Sequence, residues 1–301
     1  MVFATSNSME IELPIKTAVV CHDAGAANVV IAALMETGRR DWRAYMQGPA
    51  KKIWESVFPE AFLYDSIAKA IAGSELLISG TSWASDIEHE SRCIAKSKTV
   101  KSIAVIDHWI NYTERFVRRG EQVLPDEIWV TDKHALELAL ALFPEVPVLQ
   151  APNYYLEKQL RDIALLDKVC SPELLYILEP IRSNWGRSIP GEFQALEYFI
   201  SKFTQLGIPE ETVINLRPHP SDLEGKYNDW IMLHSNMNIK LDDSISITES
   251  LGSATWVAGC ESFALVLALM AGRTVYCTLP PWAPKCQIPY DGLIQLREFE
   301  L

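Results

Sequence analysis

The sequence has no basic excess: 27 Lys and Arg stand against 39 Asp and Glu, for a net charge of −12. A general nucleic-acid binder presents a basic face, so nucleic acid is not an expected partner. An anionic ligand held in a local basic pocket is not excluded. Long apolar runs are missing too. The longest, Phe263 to Met270, is far short of the ~18 residues that span a bilayer, so at most peripheral membrane association is expected. The first dozen residues are polar, carry Glu10 and Glu12, and lack the apolar stretch of a secretion signal. A cytoplasmic protein is the expectation. The six cysteines (Cys21, Cys93, Cys170, Cys260, Cys277, Cys286) show no CxxC or CxH spacing and read as free, mostly buried thiols. His89, His134 and His234 have no partner at ligand spacing, so neither a metal nor a cofactor is expected. GxGxxG is absent, which removes the usual signature of a dinucleotide fold.

What is present is an ordinary globular composition, 49% hydrophobic and 22% charged over 301 residues, enough for one large domain or two of about 150 residues. Apolar strand-like runs alternate with helical ones. Strands are expected at 16–21, 42–46, 61–64, 75–79, 100–106, 127–131 and 146–150, and helices at 26–37, 50–57, 67–71, 86–97 and 133–142. A second series begins with a strand at 174–178, a helix at 191–206 and a strand at 213–216. It continues with a strand at 256–258, a helix at 260–271 and a strand at 274–277. Such alternation predicts parallel sheets covered on both faces. The fold class read from it is α/β, with two Rossmann-like domains whose parallel sheets face a cleft. The expected boundaries are 1–153 for an acceptor domain, 154–173 for a charged helical linker and 174–301 for a donor domain. Clefts between domains are the usual place for ligands.

Five motifs sit where these strands run out. Residues 214–220 read Ile-Asn-Leu-Arg-Pro-His-Pro, so Arg217 and His219 end a strand between prolines that fix the backbone. Gly259-Cys-Glu-Ser262 ends another and opens an apolar helix. Open parallel sheets bind ligands at the carboxyl ends of their strands. A cation, an imidazole, a hydroxyl and a helix N-terminus together suit a phosphate. Ser262 is the better phosphate donor, whereas Glu261 suits sugar hydroxyls or a helix cap. In the first half, His22-Asp23-Ala-Gly25 follows the first strand. There Asp23 either faces the ligand or caps the next helix, and Gly25 allows close approach to the backbone. Asp107-His108-Trp-Ile-Asn111-Tyr-Thr-Glu-Arg115 follows the strand at 100–106. Asp107 beside His108 is the carboxylate–imidazole combination that general-base chemistry uses. Asn111 and Arg115 suit sugar hydroxyls or a carboxylate. Pro280-Pro-Trp282-Ala-Pro284 is a rigid aromatic loop that either closes over a base or seals the sheet.

The Arg-Pro-His-Pro strand end followed by Gly-x-Glu-Ser resembles the C-terminal half of GT-B-fold transferases. These include bacterial sialyltransferase-like and capsule-polysaccharide enzymes and CDP-glycerol phosphotransferases. The resemblance covers residues 174–295 and, in general layout, the N-terminal half. It implies a glycosyltransferase that moves a sugar from a nucleotide-sugar donor, such as a CMP-linked acidic sugar, to a glycan or other hydroxyl acceptor by metal-independent inverting displacement. His219 would contact the donor phosphate with help from Ser262. The acidic motif of those enzymes, two acids followed by glycine, is not present as such, so Asp107 and Asp23 both stand as base. A nucleotide-sugar epimerase or hydrolase, and a non-catalytic nucleotide-sugar-binding protein, are the alternatives on the same fold.

Overall fold

No residue of the strand Thr17–Cys21 (β1) reaches solvent. Val19 and Cys21 pack on one side with Leu34, Trp54 and Ile78. Ala18 and Val20 pack on the other with Ile67, Ile71, Leu77 and Ala95. A strand buried on both faces belongs inside a parallel sheet sheathed by helices, and β1 lies there, paired in parallel with a neighbour on each side. The computed structural model describes residues 12–82, 85–166, 172–181 and 183–299.

After β1 the first unit runs α1 (Ala24–Glu36), β2 (Arg43–Met46), α2 (Gly48–Val57), α3 (Ile67–Ile71), β3 (Leu76–Ser79), α4 (Ile87–Ser97) and β4 (Lys101–Val105). A small hairpin, β5 (Val117–Arg118) and β6 (Glu121–Gln122), precedes β7 (Glu127–Val130), α5 (Lys133–Leu142), β8 (Val148–Gln150) and α6 (Tyr154–Leu166). The sheet order is β2-β1-β3-β4-β7-β8, all parallel. The second unit runs β9 (Glu173–Ile177), α7 (Gly191–Lys202), β10 (Val213–Arg217), α8 (Asn228–Leu233), β11 (Ile239–Leu241) and α9 (Ile247–Ser253). It ends with β12 (Ala254–Gly259), α10 (Phe263–Met270), β13 (Thr274–Cys277) and β14 (Leu293–Gln295). Its sheet, also all parallel, has the order β11-β10-β9-β12-β13-β14. The compact units are Met1–Glu157 and Lys158–Leu301, so the division falls within α6.

In each sheet the winding reverses beside the unit's first strand, between β1 and β3 and between β9 and β12. Ligands of open α/β sheets bind outside the carboxyl ends of the strands at that reversal.

The expected strand at 61–64 is reduced to a single bridge, Leu63 to Ala44, outside the edge strand β2. The hairpin β5–β6 turns on Arg119 and Gly120, both at positive φ, and its strands are too short for an alternating pattern to register. The segments α8, β11 and β14 are likewise short and were not expected. Helix α10 begins at Phe263 rather than Cys260, because Ser262 caps it. Residues 167–171, with Cys170, lie outside the described residues. No helix of the described residues is long and apolar enough to cross a membrane.

This packing separates two leucines by cost. Leu77 is fully buried and Leu223 is 83% exposed. Leu77→Ala should lose about 2–5 kcal/mol in chemical denaturation, and Leu223→Ala should stay within about 0.5 kcal/mol. Equal losses would mean that the core is misplaced.

Candidate functional site

In the first unit the loop after β1 carries the best-formed dyad. Asp23 occupies the N-cap of α1 but makes no side-chain cap bond. Its Oδ1 instead lies 2.7 Å from His22 Nδ1. A carboxylate only accepts, so the imidazole donates through Nδ1, and Nε2 is its other nitrogen. That nitrogen sits against Gly48, where an added Cβ would come within 2.7 Å. Of the two sequence readings of Asp23, the cap is the one the geometry does not use.

Asp107 follows β4, and its Oδ1 accepts from Arg115 Nη1 at 3.0 Å. Buried Arg115 also donates to Thr81 Oγ1 at 3.0 Å and Ile110 O at 3.0 Å. Asp107 leans over Gly25, where a Cβ would overlap Asp107 Oδ2. The glycine thus makes room for a carboxylate of the chain itself. His108 does not bond Asp107. Its Nδ1 accepts from Trp109 N at 2.9 Å, and burial lowers its pKa. The carboxylate–imidazole pair of this unit is therefore His22–Asp23 rather than Asp107–His108. Asn111 is exposed with φ 57°, a backbone state that asparagine tolerates.

Behind these loops stands α4, whose inner face is polar. Glu88 and Arg92 are 0% and 1% exposed, one helical turn apart. Glu88 Oε1 accepts from His22 N at 2.9 Å, and its Oε2 accepts from Ser82 N. Burial pushes its pKa up to about 7 against those two bonds. Arg92 donates to the carbonyls of Gly80 at 3.2 Å, Arg115 at 3.2 Å and Val123 at 3.3 Å, and burial lowers its pKa to about 10.

In the second unit Arg217 ends β10. Its Nη1 is engaged by Asp242 Oδ2 at 2.5 Å, Ser250 Oγ at 2.8 Å and Ser244 O at 3.2 Å. His219 is exposed between its prolines. Its Nδ1 accepts from Ser221 N at 3.2 Å and meets Ser221 Oγ at 2.7 Å, so the ring proton resides on Nε2, the outer nitrogen. Desolvation lowers the pKa of this histidine, against Asp222, which raises it.

The loop after β12 holds an anion already. Glu179 Oε1 accepts from Cys260 N at 3.1 Å, Glu261 N at 2.8 Å and Ser262 N at 2.8 Å. These are the N–H groups that a helix start offers to a phosphate. Ser262 Oγ accepts from Ala264 N at 3.3 Å, and Glu261 Oε2 accepts from Gln287 N at 3.1 Å. Trp282 lies under the Arg187 guanidinium, 3.6 Å from the ring centroid, and donates to Gln194 Oε1 at 2.7 Å.

Glu88 and Glu179 escaped the sequence reading. Helix α4 did carry a signal: its apolar residues are too few to cover a two-sided sheet, so polar ones had to turn inward. Glu179 carries none, as a single acid after an apolar strand.

No protein-family model matches the sequence, and no curated protein matches it significantly. Solved structures do resemble it. One is a putative UDP-N-acetylglucosamine 2-epimerase from Listeria monocytogenes, at TM-score 0.61 and 14% identity over 91% of this chain and 80% of that one. Another is UDP-GlcNAc 2-epimerase from Neisseria meningitidis bound to UDP-GlcNAc, at TM-score 0.62 and 10% identity over 91% and 84%. The glycosyltransferase SnogD from Streptomyces nogalater aligns at TM-score 0.51 and 11% identity over 87% and 81%. At these identities the likeness establishes the fold, which is α/β and GT-B-like, with a six-stranded parallel sheet in each unit.

Burial also raises the pKa of Glu179 from 4.5 to about 7. A carboxyl group whose folded pKa is raised stabilises the fold fully below pH 4.5. That contribution falls as pH rises and is gone above about 7. Glu179→Gln should therefore flatten the decline of unfolding free energy between pH 5 and 8 by up to about 3 kcal/mol. Parallel pH–stability curves for the variant and the wild type would show that Glu179 titrates normally.

Proposed function

We propose that this protein is an enzyme acting on a nucleotide-activated sugar, and specifically a glycosyltransferase that delivers the sugar to a hydroxyl acceptor. The observation that carries the reading is the 2.7 Å pairing of His22 Nδ1 with Asp23 Oδ1 at the carboxyl end of β1. An imidazole held by a carboxylate, with its other nitrogen unprotonated, is a general base for an acceptor hydroxyl. It is better built for that task than Asp107, one of whose oxygens is committed to Arg115. Asp107 then supplies negative charge beside the reacting carbon or meets acceptor hydroxyls with Asn111. In the second unit His219, with its outward Nε2–H, donates to the departing phosphate and stabilises charge as it develops. Arg217, bound to Asp242 and Ser250, holds the base of that loop. Ser262 and Glu261 complete the donor side. Attack on the anomeric carbon opposite the leaving phosphate inverts its configuration. The nucleotide-sugar 2-epimerases that share the fold give the second reading: there His22 or Asp107 would take a proton from the sugar itself.

The deciding assay incubates the protein with UDP-, CMP-, CDP- and GDP-sugars, with and without hydroxyl acceptors, and analyses the products. Sugar transferred to acceptor supports the proposal. An isomerised sugar or acceptor-independent nucleotide release replaces it with the second reading, and binding without turnover removes catalysis altogether. His219→Ala should lower turnover by about 10²–10³ with the fold intact. Asp23→Asn should lower kcat by about 10²–10⁴, with donor affinity by calorimetry nearly unchanged. A larger loss in Asp107→Asn than in Asp23→Asn would transfer the base to Asp107.

A further inference from the structure

Glu88 touches none of the groups given a chemical role above, yet it joins the two loops that carry or support them. The loop after β1 bears His22 and Asp23, and Glu88 Oε1 holds it through His22 N. The loop after β3 bears Thr81 and Ser82, and Glu88 Oε2 holds it through Ser82 N. Thr81 in turn accepts from Arg115 through its hydroxyl and its carbonyl, and Arg115 holds Asp107. The helix is pressed onto the loops without slack: a Cβ on Gly80 would overlap Glu88 Oε1 and come within 2.9 Å of Ala26 Cβ.

We propose that Glu88 is a positioning residue for the first-unit site, a carboxylate latch that sets the His22–Asp23 dyad against the Asp107–Arg115 pair and releases that setting when it takes up a proton. The proposal rests on the assignment of the dyad as general base. Its physical basis is donor counting. An ionised carboxylate is acceptor-only and satisfies both N–H groups, whereas a protonated one points an O–H at one of them. A buried N–H that loses its partner is left unsatisfied, which favours movement of the loop that bears it. The charged and titratable groups facing Glu88 are Arg92, which favours its ionised form, Asp23, which opposes it, and the buried Cys21 thiol. Burial is the main cause that raises its pKa to about 7, against the two N–H bonds and Arg92, which lower it.

Two measurements test the latch. In the wild type, the Glu88 carboxyl carbon and the His22 and Ser82 amides are followed by NMR from pH 5 to 9. The amides should shift with the same midpoint as the carboxyl carbon. Amides that ignore the Glu88 titration overturn the proposal, whether or not the protein turns over any nucleotide sugar. The second measurement is kinetic. Glu88→Gln keeps the shape but can accept at only one of its two ends. It should lower kcat about tenfold or more with little change in KM, and remove the Glu88 step from the acid limb of the pH–rate profile, leaving that of the dyad. A Glu88→Gln enzyme with the wild-type pH profile also overturns the proposal. Absence of turnover in every protein would instead sink the enzymatic reading and leave the amide titration to decide the latch.

Discussion

At the carboxyl end of a buried parallel sheet, loop N–H groups point into space that helices have made dry, and they need acceptors. This protein meets that need in both units with one glutamate at the reversal of strand order, fully buried Glu88 and half-buried Glu179. Glu88 reaches across from α4 to the loops after β1 and β3. Glu179, just past β9, reaches the three N–H groups that follow β12. The first-unit loops take their shape from the arrangement around Glu88, and the start of α10 takes its from Glu179. Burying a carboxylate is expensive unless it is fully hydrogen-bonded, and each of these is pushed to a pKa of about 7 despite its donors.

The two glutamates differ in company. Glu88 has Arg92 one turn away on the same helix, and Arg92 collects three backbone carbonyls while Glu88 collects two N–H groups. Between them they satisfy both polarities of the surrounding loops. Glu179 has no such cation among the groups that shift its pKa, and Glu261 beside it adds a like charge. The start of α10 is thus occupied by a carboxylate at the place where an open sheet would receive a ligand phosphate.

Much of the fold was legible because burial on two faces writes a strong pattern. Runs such as Ala18-Val-Val-Cys21 and Leu174-Leu-Tyr-Ile177 have no polar alternation, and a glycine closes helices at Gly38, Gly207 and Gly272, each at positive φ. Candidate site residues were legible in part. His22, Asp23, Asp107, Arg115 and His219 stand out as candidates because they are polar residues that follow apolar strands. Their pairings were not legible. Asp107 sits beside His108 in the chain, yet the side chains that bond are Asp107 with Arg115 and His22 with Asp23.

What the sequence determined by itself was the alternation of strand and helix, the parallel character that follows from doubly buried strands, and the strand ends where chemistry gathers. These are local properties, set by residue type and period within a dozen positions. Only the tertiary structure decided that a helix with a charged inner face would lie under the first-unit loops. It also decided that Gly25 would yield its space to Asp107 and that Glu179 would fill the start of α10. The partners in those contacts are 66, 82 and 83 residues apart where Glu88 meets His22 and Glu179 meets Glu261 and Ser262. A hydrogen bond at that separation depends on the packing of whole helices onto a sheet, which no short stretch of chain encodes.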